Sequence, residues 1–317
     1  MTIVGPVAPQ VSAPLPSTMP AKRRKISNLT HEDTNAIVDT LAEYCQALDV
    51  EDSETTGLVD DIQKICAKLQ AKTQTRFSSG TVLDLSAANI RTKGLEIKEG
   101  GRARAEDRSS QEKAGNWFGI ENTRALIRLV RKHVSTLAGC RMLINVILLR
   151  VASVDSNEEM AVSIVPEYPI HETALNPGHS LVGVVDYLLT RLPTKFTRQV
   201  LDYPQMTLAR ADIKQIGTSN IFEAKNLLAI KHGVPQAALT AATWCERTKI
   251  GCMRGAITSG EQWLFFTFER IDVGGIFRCS TVIDLGEDLG NLAYILGILH
   301  DWIENSSDIN QAYFDEV

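Results

Sequence analysis

Asp186, the triplet Glu223-Ala224-Lys225 and Gln236 are the residues of this 317-residue chain whose types and spacing could do chemistry. Along an extended strand side chains two apart share a face, at about 3.3 Å per residue, so Glu223 and Lys225 should point the same way roughly 7 Å apart. Ala224 should face the opposite side. Asp186 lies inside Leu181-Val182-Gly183-Val184-Val185-Asp186-Tyr187-Leu188-Leu189. That run is otherwise apolar on both faces, as a strand covered on both sides must be. A carboxylate in such a place needs a cation. If the strands of Asp186 and Glu223 are neighbours, facing Cβ atoms lie about 4.5 to 5.5 Å apart, close enough for both acids to ligate one ion. Mg²⁺, or Mn²⁺, suits two hard carboxylates, because it takes oxygen ligands and keeps several waters. Such an ion acidifies a bound water and offsets charge on phosphorus oxygens, and an adjacent lysine can orient or deprotonate the water or stabilise the pentacovalent centre. Gln236 falls in the first turn of the following helix, where its amide can hold a water or a phosphate. The predicted chemistry is hydrolysis of phosphodiester bonds. The competing structural reading of Asp186, Glu223 and Lys225 is a buried ion-pair network, which also needs opposite charges close together.

The order Asp186, Glu223-Ala224-Lys225, Gln236 resembles that of the PD-(D/E)xK nuclease superfamily, also called restriction-endonuclease-like. The later run Arg254-Gly255-Ala256-Ile257-Thr258-Ser259-Gly260-Glu261-Gln262-Trp263 is similar to the Gly-turn-Trp hairpin of uncharacterised fungal members. The resemblance covers about residues 116 to 304. It implies an α/β fold, with a restriction-endonuclease-like mixed sheet flanked by helices and an N-terminal helical extension. It also implies a metal-dependent endonuclease acting on DNA, with RNA as the second choice. By that similarity Asp186, Glu223 and the Ala224 carbonyl are metal ligands, Lys225 is the catalytic lysine and Gln236 the accessory glutamine. The chain departs from the pattern in two places. Val185 stands where the superfamily has a proline before the first acid, and 36 residues separate Asp186 from Glu223 where many members have far fewer. An insertion is therefore expected over Thr190 to Ser219, which carries Arg191, Lys195, Arg198, Arg210 and Lys214. Many members also place an acid on the helix before the first strand, and Glu121 is the acid available here. The missing proline motivates a second reading, a catalytically inactive nuclease-fold module that binds nucleic acid or protein.

Positioning these residues requires alternating elements. Residues 1–27 form a disordered tail, since Pro6, Pro9, Pro14, Pro16 and Pro20 forbid regular structure. It ends in Lys22-Arg23-Arg24-Lys25, which reads as a nuclear-import signal, a phosphate contact or a solvated charge run. Over 28–76, Ile37, Leu41, Cys45 and Leu48, then Leu58, Ile62, Ile65 and Leu69, recur at helical spacing and predict a helical hairpin. Residues 77–115 lose that periodicity and mix charges of both signs, predicting a polar linker. From 116 to 317 the pattern predicts the nuclease-like domain. Its elements are a helix over Glu121–Ala138 with His133 toward the core, strands over Met160–Pro166, Leu181–Leu189 and Ile221–Lys225, and a helix from Pro235 to Lys249. Strands over Met253–Thr258, Trp263–Phe268 and Phe277–Ile283 and a helix over Glu287–Asn305 complete it.

Bulk properties bound the function. A net charge of -5 argues against coating nucleic acid through a global field, so any contact with it must be local. Six scattered cysteines without a zinc-type pair read as reduced core thiols of an intracellular protein. The first residues lack a secretory pattern, and the most apolar run, Met142–Leu149, is far shorter than the ~20 residues a bilayer requires.

Overall fold

The computed structural model describes residues 31–48, 53–70, 74–110, 118–176, 179–216, 218–226, 228–272, 274–308 and 312–317. The Pro-rich tail and the Lys22–Lys25 cluster lie outside them. The chain divides into two compact units, Met1–Gln70 and Ala71–Val317. In the first, α1 (His31–Ala47) packs against α2 (Ser53–Gln70), the pair that the apolar spacing predicts.

The second unit is α/β. It runs β1 (Gln74–Arg76), a 3-10 turn (Phe77–Ser79), α3 (Val82–Ala87), β2 (Ile90–Ile97), α4 (Gly101–Ser110), α5 (Ile120–His133) and α6 (Thr136–Asp155). There follow β3 (Met160–Asn176), β4 (His179–Pro193), α7 (Thr197–Asp202), α8 (Pro204–Ala209), α9 (Ala211–Ile216), β5 (Thr218–Ala224) and α10 (Val234–Thr248). The rest is β6 (Cys252–Thr258), β7 (Gln262–Arg270), β8 (Gly275–Ser280), β9 (Ile283–Asp284), α11 (Leu292–Glu304) and β10 (Phe314–Glu316). One mixed sheet carries the strands in the order β1-β4-β5-β6-β7-β8-β2-β10, with β3 on β4 and β9 on β7. β3, β4 and β5 are successive antiparallel neighbours, and β5 then pairs in parallel with β6.

The two sheet faces bury separate apolar layers, which is why the central strands are apolar on both sides. One layer packs Val185, Leu188 and Ile221 against Leu239 and Ala242 of α10 and Leu85 of α3. The other packs Tyr187, Leu189 and Phe222 against Ile144, Ile147 and Leu148 of α6 and Leu296 and Leu299 of α11. The β6–β7 turn depends on Gly260, whose φ of +83° is left-handed; an added Cβ there would lie 2.7 Å from the Leu143 Cβ. Trp263 closes the turn by donating its indole N–H to the Gly260 carbonyl at 3.1 Å.

Four sequence expectations are corrected. Residues 77–110, read as part of a polar linker, are structured: α3 opens with a capping box between Thr81 and Asp84, and β2 sits inside the sheet between β8 and β10. The compact unit therefore begins at Ala71 rather than near residue 116. Mixed charges mark a solvated face as readily as a linker, and β2 exposes Arg91, Thr92 and Lys93 in succession while pairing with β8 on one side and β10 on the other. The helix over Glu121–Ala138 stops at His133, and Ser135 precedes a second helix, α6, which absorbs the apolar run Met142–Leu149. His133 is exposed rather than in the core. The final helix starts at Leu292, because Leu289 adopts φ +65° in the turn between Gly286 and Gly290. The insertion between β4 and β5 is the helical run α7–α9, and no helix among the described residues is long and apolar enough to cross a membrane.

Candidate functional site

Pairing sets the site. β4 and β5 are in register at Tyr187↔Phe222, which puts Asp186 opposite Glu223 on the face toward α10. There the ladder stops, and the next strand amide changes partner: the Ala224 N–H donates to Asp186 Oδ2 at 2.8 Å. One residue on, the Lys225 N–H continues the parallel ladder to the Thr258 carbonyl of β6 at 2.8 Å. The amides of Ala224 and Lys225 thus tie down the second half of the Glu-Ala-Lys triplet. Ala224 itself packs in the opposite layer, as alternation requires.

α10 supplies the third side. Pro235 occupies its first turn, where a missing N–H leaves nothing unsatisfied, and Gln236 follows. Its Nε2 donates to Glu223 Oε2 at 2.8 Å, and its Oε1 accepts from Lys225 Nζ at 2.8 Å. The Lys225 ammonium fixes that amide orientation, since it can only donate and so must face the glutamine oxygen. Lys225 Nζ also stands 3.7 Å from Glu223 Oε2, within ion-pair distance, so the two are coupled both directly and through the glutamine. The Thr240 hydroxyl donates to the Gln236 carbonyl at 2.8 Å, and its 3.4 Å approach to Glu223 Oε1 is the weaker arm.

Electrostatics follow from burial. The Glu223 side chain is 0 % exposed, while Lys225 and Asp186 keep 19 % and 18 %, so the cluster reaches solvent through the lysine and the aspartate. Burial pushes the Glu223 carboxyl up to about 8, against the pull of Lys225, with the Asp186 charge and a hydrogen bond to that carboxyl adding to the rise. Glu223 itself therefore holds its proton at neutral pH.

Two further residues complete the cluster, and sequence reasoning missed both. Arg141, in the first turns of α6, donates from Nη2 to Asp186 Oδ1 at 2.8 Å and from Nη1 to Glu167 Oε1 at 3.1 Å. Glu167 interrupts the β3–β4 ladder between Pro166↔Tyr187 and Tyr168↔Val185, with φ +51°. A non-glycine residue there is strained, and such positions concentrate at functional sites. The signal for it was present, because Pro166 and Pro169 inside a strand mark an irregularity. For Arg141 no signal was usable without α6. Glu121, the acid expected on the helix before the first strand, is on α5, exposed and paired with Arg124, away from the cluster.

Arg131 of α5 is engaged structurally, paired with Glu261 and donating to the carbonyls of Gly286 and Glu287. All six cysteines are free thiols, with Cys245 and Cys252 buried and the other four only partly so. Among the described residues no group of three or more His, Cys, Asp or Glu side chains is arranged around one point. A cation at the cluster would therefore rest on two protein carboxylates, Asp186 and Glu223, both hard oxygen donors. Mg²⁺ tolerates such sparse ligation because water and substrate oxygens fill its sphere. The donor set fits that ion and would suit a soft, thiolate-seeking metal poorly. Compared with known proteins, the chain matches no family model and no curated sequence.

Proposed function

We propose that this protein is a restriction-endonuclease-like, Mg²⁺-dependent nuclease that hydrolyses phosphodiester bonds of nucleic acid. The observation that carries the reading is the meeting of Asp186, Glu223, Lys225 and Gln236, contributed by β4, β5 and α10, within one hydrogen-bonded cluster. The mixed sheet flanked by helices is of the kind the resemblance implies. Asp186 and Glu223 would hold the ion. When bound, it supplies a more acidic water and offsets charge developing on the phosphoryl oxygens. The chain's own groups do the rest. Lys225, partly open to solvent, presents its ammonium where a phosphate oxygen gathers charge. Gln236 fixes that ammonium and the inner oxygen of Glu223 at once, so neither must reorganise as charge develops. The Ala224 N–H keeps the outer Asp186 oxygen from rotating.

One observation favours the second reading, a nuclease fold used only for binding. Arg141 already bridges Asp186 and Glu167, and a permanent cation there would do the work of a metal. Metal titration separates the two. On the enzymatic reading the folded protein binds Mn²⁺ or Mg²⁺, Asp186→Asn weakens that binding at least tenfold, and the wild type nicks plasmid or single-stranded substrate only with divalent ion. A folded wild type that binds neither ion leaves the module and removes the enzyme.

A further inference from the structure

A groove of about 1570 Å³ opens beside the cluster, over β2 and β8 and between α3 and the start of α10. Its wall at Lys231, His232, Val234 and Pro235 runs next to the site: Pro235 adjoins Gln236, and a Cβ added at Gly233 would lie 3.1 Å from Lys225 Cε. Its floor is apolar, built from side chains such as Leu85, Ile90 and Leu264. Its charged side chains are all basic. Arg91 and Lys231 are exposed and have no ion-pair partner among the described residues, His232 lies beside them, and Lys93 is held by Glu316. No Asp or Glu side chain lines it, in a chain whose net charge is -5.

We propose that this groove seats a single strand of nucleic acid and leads it to the Lys225 cluster. The inference rests on the nuclease reading and adds strandedness to it. Three features converge. The volume, above the roughly 300 to 1,000 Å³ usual for a small-molecule pocket, has room for a stretch of polymer. The unpaired cations select a polyanion against the protein's overall charge. The apolar floor favours a strand whose base faces are free, because a duplex buries those faces in its stack and offers only base edges, sugars and phosphates.

The test is fluorescence anisotropy on the full chain with a labelled mixed-sequence single strand and the blunt duplex of the same sequence, in EDTA so that nothing is cut. The single strand should bind more tightly than the duplex. The exposed double variant Arg91→Glu, Lys231→Glu should lose at least tenfold in affinity while melting like the wild type. The slope of log K against log salt should flatten by about 0.7 per phosphate contact removed. Equal binding by variant and wild type, preference for the duplex, or displacement of the strand by an acidic peptide that the double variant no longer binds would each overturn the groove assignment. Because metal is absent, failure of the catalytic reading shows separately, as strand binding that is groove-dependent but never followed by cleavage when Mg²⁺ is restored.

Discussion

Glu223 is the residue on which most of the site's physics turns, because it is fully enclosed and yet, on the proposed reading, would serve as a carboxylate. Its pKa, pushed up to about 8 by burial, makes stability pH-dependent. Below the ordinary value of 4.5 the group is protonated in folded and unfolded chains alike, and its contribution is fully present. As pH rises toward 8 only the unfolded chain gives up the proton, so stability falls; above that the loss is complete, on the order of 5 kcal/mol. Glu223→Gln should therefore flatten the decline in melting temperature between pH 5 and 9 and melt above the wild type at the alkaline end; parallel profiles would refute this. The same proton links to metal. If a divalent ion takes Glu223 as carboxylate, its binding at pH 7 should release close to one proton, read by calorimetry in buffers of different ionisation enthalpy. Buffer-independent heats would exclude Glu223 as a ligand. Arg141 competes for Asp186 from a half-exposed position, where such pairs are worth about 0 to 1 kcal/mol, so Arg141→Ala should tighten Mn²⁺ binding by up to about fivefold. Weaker binding in that variant would make Arg141 a support rather than a competitor. At this scale the sequence was informative where spacing in one strand fixes a face, as for Glu223 and Lys225. It was silent where a partner comes from a helix whose start is marked only by Ser135, as for Arg141.

Elements place these groups through close backbone approach. Gly255 of β6 lies under β5, and a Cβ there would meet the Ile221 carbonyl at 2.2 Å and Phe266 Cζ at 2.4 Å. The obstacle on one side is backbone two residues from Glu223, so β5 would have to shift. Gly255→Ala should cost at least the ~1–3 kcal/mol typical of overpacking, measured by urea unfolding. A variant of wild-type stability would mean that the β5–β6 spacing is soft and the site geometry less fixed than argued. The alternation and composition of β4, β5, β6 and β7 were legible because each is covered on both faces. β2 was not legible, since its run of exposed, charged residues matches that of a solvated segment although it pairs on both sides, and β1 is three residues long, too short for any period to register. Gln236 could be placed beforehand because proline marks a helix start without reference to tertiary structure.

For the whole molecule, the division at Gln70 and Ala71 says that site, sheet and groove belong to one unit. A chain beginning at Ala71 should unfold cooperatively within a few degrees of the full protein, followed by circular dichroism; non-cooperative melting would show that α1 and α2 complete its core. Overall composition gave little guidance to function, since acidity on average conceals a local basic groove. On the proposed reading, Lys225 acts at a phosphate beside a metal held by two carboxylates. Single-turnover cleavage of a labelled strand in Mg²⁺, wild type against Lys225→Ala, tests it most directly. The wild type should cut, EDTA should stop it, and the variant, with its melting temperature near normal, should be slower by about 10² or more, the size expected for losing one positioned electrostatic or proton-transfer group. Equal rates in the two proteins, or cleavage that persists without divalent ion, would contradict it.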